Sequence, residues 1–256
     1  AQDAPQQAAP APQKKAAPAP GASWGILLDR RAQAAPGSQV REDLDWLVEL
    51  ARAHLAAPGE PEGRRRTVER ALRINAWWYG SGRGSPRQRV LVRDPDGIIS
   101  TYKRGHGFAV NPVATTGRWQ GLNDAFPPET LAGPLLDMAV ERRVGDRDAL
   151  VWEYFDVPDD PSAVQPGVSG MAQGRLAECL SHAYRRTGDE RFARAVRLAL
   201  NAFAIPVDEG GVVSQVAEPG VDESWPWYVE RAYPGQDPWT GGALNGFMVT
   251  LISLRS

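Results

Sequence analysis

The chain has 256 residues, a formal net charge of −2, and is 42% hydrophobic and 23% charged. That balance carries no basic footprint for nucleic acid or an acidic membrane surface, so a polyanionic ligand would need a local basic cleft. The one cysteine, Cys179, excludes an internal disulfide and a cysteine-based zinc motif, and no apolar run approaches the roughly 20 residues of a membrane span.

Residues 1–22 are mainly Ala, Pro and Gln with two lysines. They have almost nothing to bury and are expected to form a disordered tether. A start at Ala1-Gln2 without Met is read as the beginning of a mature exported chain, secreted or held at the cell surface or in the periplasm. Order is expected from about Trp24, with Ile26-Leu27-Leu28 as a strand or a helix start. From Arg41, Leu44, Leu47, Val48, Leu50 and Ala51 share one face at a period near 3.6, and Pro58-Gly59 ends that helix. A second helix is expected from Thr67 to about Trp78, after the basic run Arg64-Arg65-Arg66. That run reads as a solvated helix start or as a grip on an anionic glycan.

Glycines 80, 82 and 84 with Pro86 mark a loop, and Arg89 to Tyr102 folds back on the turn Asp94-Pro95-Asp96-Gly97 as a β-hairpin. No Lys-Ser/Thr follows these glycines, so they are not a phosphate loop. Tyr102, Lys103, Arg104 and His106 then combine an aromatic ring, two cations and an imidazole in a glycine-bearing turn. They suit contact with a carboxylated sugar, and equally a polar surface turn. Farther on, Asp137–Arg147 and Ser181–Glu190 look alike, each a helix closing on a glycine and an aspartate. Gly145 and Gly188 predict a repeat of helical hairpins, whether open like a stack of repeats or closed into an (α/α) toroid. Nine tryptophans are many for this length. Trp225, Trp227 and Tyr228 stand beside Glu230, Arg231 and Tyr233, before the helix-like run Leu244–Leu254. Flat rings beside convergent polar groups suit a sugar cleft, although single tryptophans are more often core.

Four motifs in order carry a resemblance: Ser169-Gly170-Met171-Ala172-Gln173-Gly174; Ala183-Tyr184-Arg185-Arg186-Thr187-Gly188-Asp189; Trp227-Tyr228 with Tyr233-Pro234; and Leu244-Asn245-Gly246-Phe247-Met248. From about residue 150 to 256 the chain resembles the C-terminal domain of D-glucuronyl C5-epimerases. The resemblance implies a mainly α fold, helical hairpins of an (α/α) toroid over residues 23–256, with the small β element near 89–102. It implies inversion of C5 of glucuronic acid within a heparan-type polysaccharide, without a metal or organic cofactor. By position, Tyr233 resembles a catalytic tyrosine, Asn245 a substrate-contacting asparagine, and Ser169, Met171, Ala172 and Gln173 a segment lining the cleft. The chain departs from the family where Glu230-Arg231-Ala232 replaces two carboxylates directly before the tyrosine, and where Val249 replaces a tyrosine of the animal enzymes. The family continues beyond the equivalent of Ser256 into helices carrying two more catalytic tyrosines. The ring is therefore expected to be incomplete in this chain, and completion by a second copy stays open.

Inverting C5 removes a carbon-bound proton α to a carboxylate and returns one to the other face, so it needs two proton carriers and a cation for the developing charge. Tyr233 is expected as one carrier, Glu230 in support, and Arg231 or Lys103 as the cation, with Trp227 and Tyr228 as sugar platforms. Two other readings stay open: a glycoside hydrolase or lyase on the same toroid, which for hydrolysis needs two flanking carboxylates, and a non-catalytic carbohydrate-binding protein.

Overall fold

The computed structural model of the protein describes residues 20–119, 126–155, 166–217, 224–233 and 244–255. The predicted tether falls outside these residues up to position 19, and its last residues are instead the first turn of a helix, α1 (Pro20–Gln33). The fold is mainly α with small antiparallel sheets. Ile26-Leu27-Leu28 is thus helical: Leu27 is buried against the next two helices, α2 (Gln39–Leu55) and α3 (Glu62–Gly80), which meet in one apolar cluster around Leu44, Leu47, Val68 and Leu72. Ser38 caps α2 by accepting from the Arg41 N–H at 3.3 Å, satisfying one of the N–H groups a helix start leaves open.

Helix α3 begins earlier than its apolar pattern indicates, so Arg64, Arg65 and Arg66 lie within it. Arg64 reaches inward to the fully buried Glu153, with Nε–Oε2 at 2.7 Å and Nη2–Oε1 at 2.8 Å, and Arg142 donates to the same carboxylate at 2.9 Å. Arg66 pairs with Glu62 one turn back. The run is therefore a scaffold of ion pairs rather than a glycan grip.

The predicted hairpin is present and gains a third strand. β1 (Leu91–Arg93), β2 (Ile99–Lys103) and β3 (Gly107–Val110) form an antiparallel meander in that order. Asn75 of α3 fastens its edge: its amide accepts from the Phe108 N–H at 2.9 Å and donates to the Phe108 carbonyl at 2.7 Å, pairing buried backbone groups that would otherwise be orphaned. Two short helices follow, α4 (Pro112–Trp119) and α5 (Pro128–Asp137).

The proposed repeat is overturned at its first unit. After α5 the chain forms a tight hairpin of β4 (Val140–Val144) and β5 (Arg147–Val151), with Val144 paired to Arg147 across Gly145-Asp146. Val140, Arg142 and Val144 are more buried than Glu141 and Arg143, the period-two pattern of a strand with one covered face. Gly145 (φ 61°) therefore turns a hairpin, whereas Gly188 (φ 68°) ends a helix. The second unit stands as predicted: α6 (Gly170–Thr187) closes on left-handed Gly188, and Asp189 caps α7 (Glu190–Asn201) through the Arg191 N–H at 3.0 Å.

The C-terminal core gathers Leu131, Leu135, Trp152, Leu176, Cys179, Leu180 and Phe192. Burial pushes the Cys179 thiol up to about 12, as for an inert core thiol. Two further ladders complete the fold, β6 (Glu153–Tyr154) with β7 (Gly167–Val168), and β8 (Val213–Ala217) with β9 (Ser224–Tyr228). The last helix, α8 (Leu244–Arg255), sets Thr250 and Ser253 against Gly174 of α6, while Met248, Leu251 and Ile252 are exposed. Among the described residues no helix is long and apolar enough to cross a membrane.

Candidate active site

The site is a cavity of about 630 Å³ between the β1–β3 meander and the start of α6. Its floor is built where β7 runs into α6. Val168 and Ala232 exchange backbone hydrogen bonds at 2.8 and 2.7 Å, and the Gly170 N–H donates to the Val229 carbonyl at 2.8 Å. Segment 229–233 is thereby strapped across the helix entry, which presents Glu230, Arg231 and Tyr233 to the cavity. The Tyr233 ring lies on Gly167 so closely that a Cβ there would fall 2.2 Å from Cε1. The Glu230 side chain runs over Gly246 of α8, where a Cβ would fall 2.6 Å from Oε2. Both glycines are required by close approach, since any side chain would displace these groups.

Ser169 and Met171 line the same cavity, Ser169 while capping α6 through the Ala172 N–H at 3.2 Å. Tyr154 enters from β6, and its phenol oxygen accepts from the Val113 N–H at 3.1 Å. The opposite wall comes from the meander and the loop before it: Arg87, Arg89, Thr101, Tyr102, Lys103, Arg104 and Asn111. Five cations and one carboxylate, Glu230, therefore line the cavity among the described residues. Here is the local basic cleft that an overall charge of −2 conceals.

Of the residues singled out in the sequence, Tyr233, Glu230, Arg231, Ser169, Met171, Tyr102 and Lys103 share this cavity. Others do different work. Ala172 and Gln173 are buried in the core, and the Gln173 amide donates to the carbonyls of Leu150 and of Ala199, the latter at 3.2 Å. The α-helical period turns these two inward while Met171 faces out. His106 is buried edge-on against Trp46, ring centroids 4.7 Å apart, rather than facing a sugar. Trp227 stacks on Phe247 at 4.4 Å with rings 6° apart, and Tyr228 packs edge-on against Phe203. These two rings fasten α8 and the end of α7 to β9 and do not line the cavity. Asn245 sits in the first turn of α8, and its side chain lies outside the described residues.

Tyr102 lines the wall, but its hydroxyl donates to the Asp43 carboxylate at 3.1 Å. Burial, and then the Asp43 charge, raise its pKa well above the ordinary phenol value, so it is unsuited to act as a base at neutral pH. Arg104, the second cation of the turn after Tyr102, lines the cavity as well, whereas sequence reasoning missed Arg87, Arg89 and Tyr154. The signal was present for the first two: a hairpin spanning 89–102 sets both of its ends, each rich in cations, side by side. The Tyr102 N–H indeed donates to the Val90 carbonyl at 2.9 Å.

Residues 150–256 match the family model of the D-glucuronyl C5-epimerase C-terminus. This part of the chain is similar to a C5-epimerase C-terminal domain. The matched residues supply one side of the cavity, Tyr154, Val168, Ser169, Met171, Glu230, Arg231 and Tyr233, whereas the cationic wall precedes them in the chain. An uncharacterized protein of Methanocaldococcus jannaschii is 32% identical over 106 residues, which are 40% of this chain and 32% of that protein. The chain thus spans about a third of the length of that relative. No solved structure matches.

Proposed function

We propose that the protein inverts C5 of glucuronic acid residues in an acidic polysaccharide. The observation that carries this reading is the meeting, in one cavity, of the Tyr233 phenol of the part similar to the epimerase C-terminus with Arg87, Arg89, Lys103, Arg104 and Arg231. Removing the C5 proton leaves an enediolate whose second negative charge develops on the carboxylate oxygens, and the facing cations stabilise that charge. Tyr233 carries the proton on one face. Glu230 or the Tyr154 phenol, both lining the cavity, carries it on the other.

The helical hairpin α6–α7, with α8 on α6, is the portion of an (α/α) toroid expected for this domain. Export belongs to the same reading, because polysaccharides of this kind stand outside the cytoplasm. Hydrolysis is less well supported: it needs two carboxylates across the bond, and Glu230 alone lines the cavity among the described residues.

Incubation with a glucuronic acid polymer in deuterated water should place deuterium at C5, and Tyr233→Phe should abolish the labelling. Chain cleavage without C5 label would make the protein a hydrolase, cleavage yielding an unsaturated uronate a lyase, and binding with neither a carbohydrate-binding protein.

A further inference from the structure

The cationic wall hangs on one buried side chain. Asp43 of α2 has no exposed surface, and its carboxylate accepts five hydrogen bonds. Oδ2 receives the hydroxyls of Tyr79 at 2.6 Å, Ser85 at 2.6 Å and Tyr102 at 3.1 Å. Oδ1 receives the Gly105 N–H at 2.7 Å and the Gln39 amide at 3.0 Å. Ser85 stands immediately before Pro86–Arg89, Tyr102 immediately before Lys103, and Gly105 immediately after Arg104. Gln39 in turn accepts a hydrogen bond from the Arg104 guanidinium. Each segment bearing a cation of the wall is thus tied to the same carboxylate within a few residues.

Lys103 is also fixed by the pairing of β2, but Arg87 and Arg89 stand on a loop. Residues 83–90 form neither helix nor strand. Apart from Asp43, the ends of this loop are held by the Arg83 guanidinium over the Trp77 and Trp78 rings at 4.6 and 4.9 Å, by the Trp78 N–H on the Gly84 carbonyl at 2.9 Å, and by Val90. Val90 packs near Phe108 and accepts from the Tyr102 N–H, while Ser85 ties the stretch before Arg87 and Arg89 to Asp43. Guanidinium groups on such a loop would spread over many positions, and a scattered set of charges stabilises a bound anion less than a preorganised one. A carboxylate suits this hub because it only accepts, with about four lone-pair sites in two directions. An amide in its place turns one accepting atom into a donor and sets it against incoming O–H or N–H groups.

We propose that Asp43 is a positioning residue for the substrate site, holding Arg87, Arg89, Lys103 and Arg104 in the arrangement that receives the acidic polymer. The identity of the ligand rests on the function proposed above; the order of the wall does not. Asp43→Asn is compared with wild type in two measurements. Hydrogen exchange should rise about tenfold in residues 83–90 and 103–106, the size of a lost charge-assisted hydrogen bond, with α6 unchanged. Affinity for a non-sulfated glucuronic acid–N-acetylglucosamine polymer should fall about tenfold, and its dependence on salt should flatten by about one counterion.

Unchanged exchange in the two wall segments overturns the proposal, and so does a rise spread evenly over the molecule, which marks a general stability role. Should Asp43→Asn fail to fold, Ser85→Ala and Gln39→Ala each remove a single link. Ser85→Ala should loosen 83–90 and Gln39→Ala should loosen 103–106, and no local change in either overturns the proposal. A wild-type protein that ignores the polymer refutes the proposed substrate, while the exchange measurement still decides the role of Asp43.

Discussion

Gly167→Ala tests whether the seat of the Tyr233 phenol governs the chemistry. The added methyl carbon would stand 2.2 Å from Cε1, 2.4 Å from Cδ1 and 2.7 Å from Cζ of that ring. Carbon atoms in contact sit about 3.5–4.0 Å apart, so the ring must move by about 1 Å or more. The backbone of Gly167 is not in the left-handed region, so alanine adds no strain of its own and acts through the ring alone. The ring is not free to follow, because Ala232 is bonded to Val168 in both directions. Overpacking of this kind costs about 1–3 kcal/mol of stability, whereas misplacing a reacting group by about 1 Å costs on the order of 10²-fold in rate. The assay is the rate of C5 deuterium uptake, with Tm measured on the same samples. The expected result is a folded protein with uptake lowered about 100-fold, short of the complete loss expected in Tyr233→Phe. Uptake at the wild-type rate in Gly167→Ala would refute Tyr233 as a proton carrier.

Glu153→Ala removes the one carboxylate that both Arg64 and Arg142 reach and should cost about 3–5 kcal/mol in urea unfolding, the usual penalty for breaking a buried pair; a loss under about 1 kcal/mol would show that the pair contributes little. Burial raises the Glu60 pKa, but hydrogen bonds from His54 and Arg64 outweigh it and leave the carboxyl below its ordinary value of 4.5. Its folded pKa being the lower one, its contribution is complete above 4.5 and disappears as pH falls through the folded value, so Tm should drop in acid and Glu60→Gln should flatten that drop. For Tyr79 and Tyr102, burial and then the Asp43 charge raise both phenols. Their stabilisation is therefore present below the ordinary value near 10 and is lost as pH rises through the folded pKa values. Ultraviolet titration should show these two ionising only with alkaline unfolding, and Asp43→Asn should bring their ionisation to lower pH without restoring the ordinary phenol value, because burial remains.

Several elements could be read from sequence because local physics decides them. The face of α2 follows from apolar residues at helical spacing, the β1–β2 hairpin from its Asp-Pro-Asp-Gly turn, and the α6–α7 junction from Gly188 and Asp189. Asp137–Arg147 looked the same as that junction and folded as strands instead. Its glycine and aspartate fit either a helix end or a two-residue hairpin, and the choice fell to Val140 and its strand partner Val151, which found a covered face against the 3-10 turn at Ala202–Phe203. Propensity is a weak prior where packing on one face decides.

The site divides the same way. Tyr233, Glu230, Arg231, Ser169 and Met171 sit in or beside motifs whose order is visible along the chain, so the sequence alone pointed to the family that the C-terminal part resembles and to one side of the cavity. It could not separate Met171 from Ala172 and Gln173 without the phase of α6 against the core, nor show that Trp227 is spent on Phe247. Above all it could not place Arg87, Arg89 and Arg104 opposite Tyr233, or Asp43 behind them. Those residues come from three separate stretches, and charge and burial are properties of the assembled neighbourhood. Only folding brings the cations to face one cavity while a carboxylate some sixty residues earlier in the chain than Gly105 is sealed from water by the donors it orders.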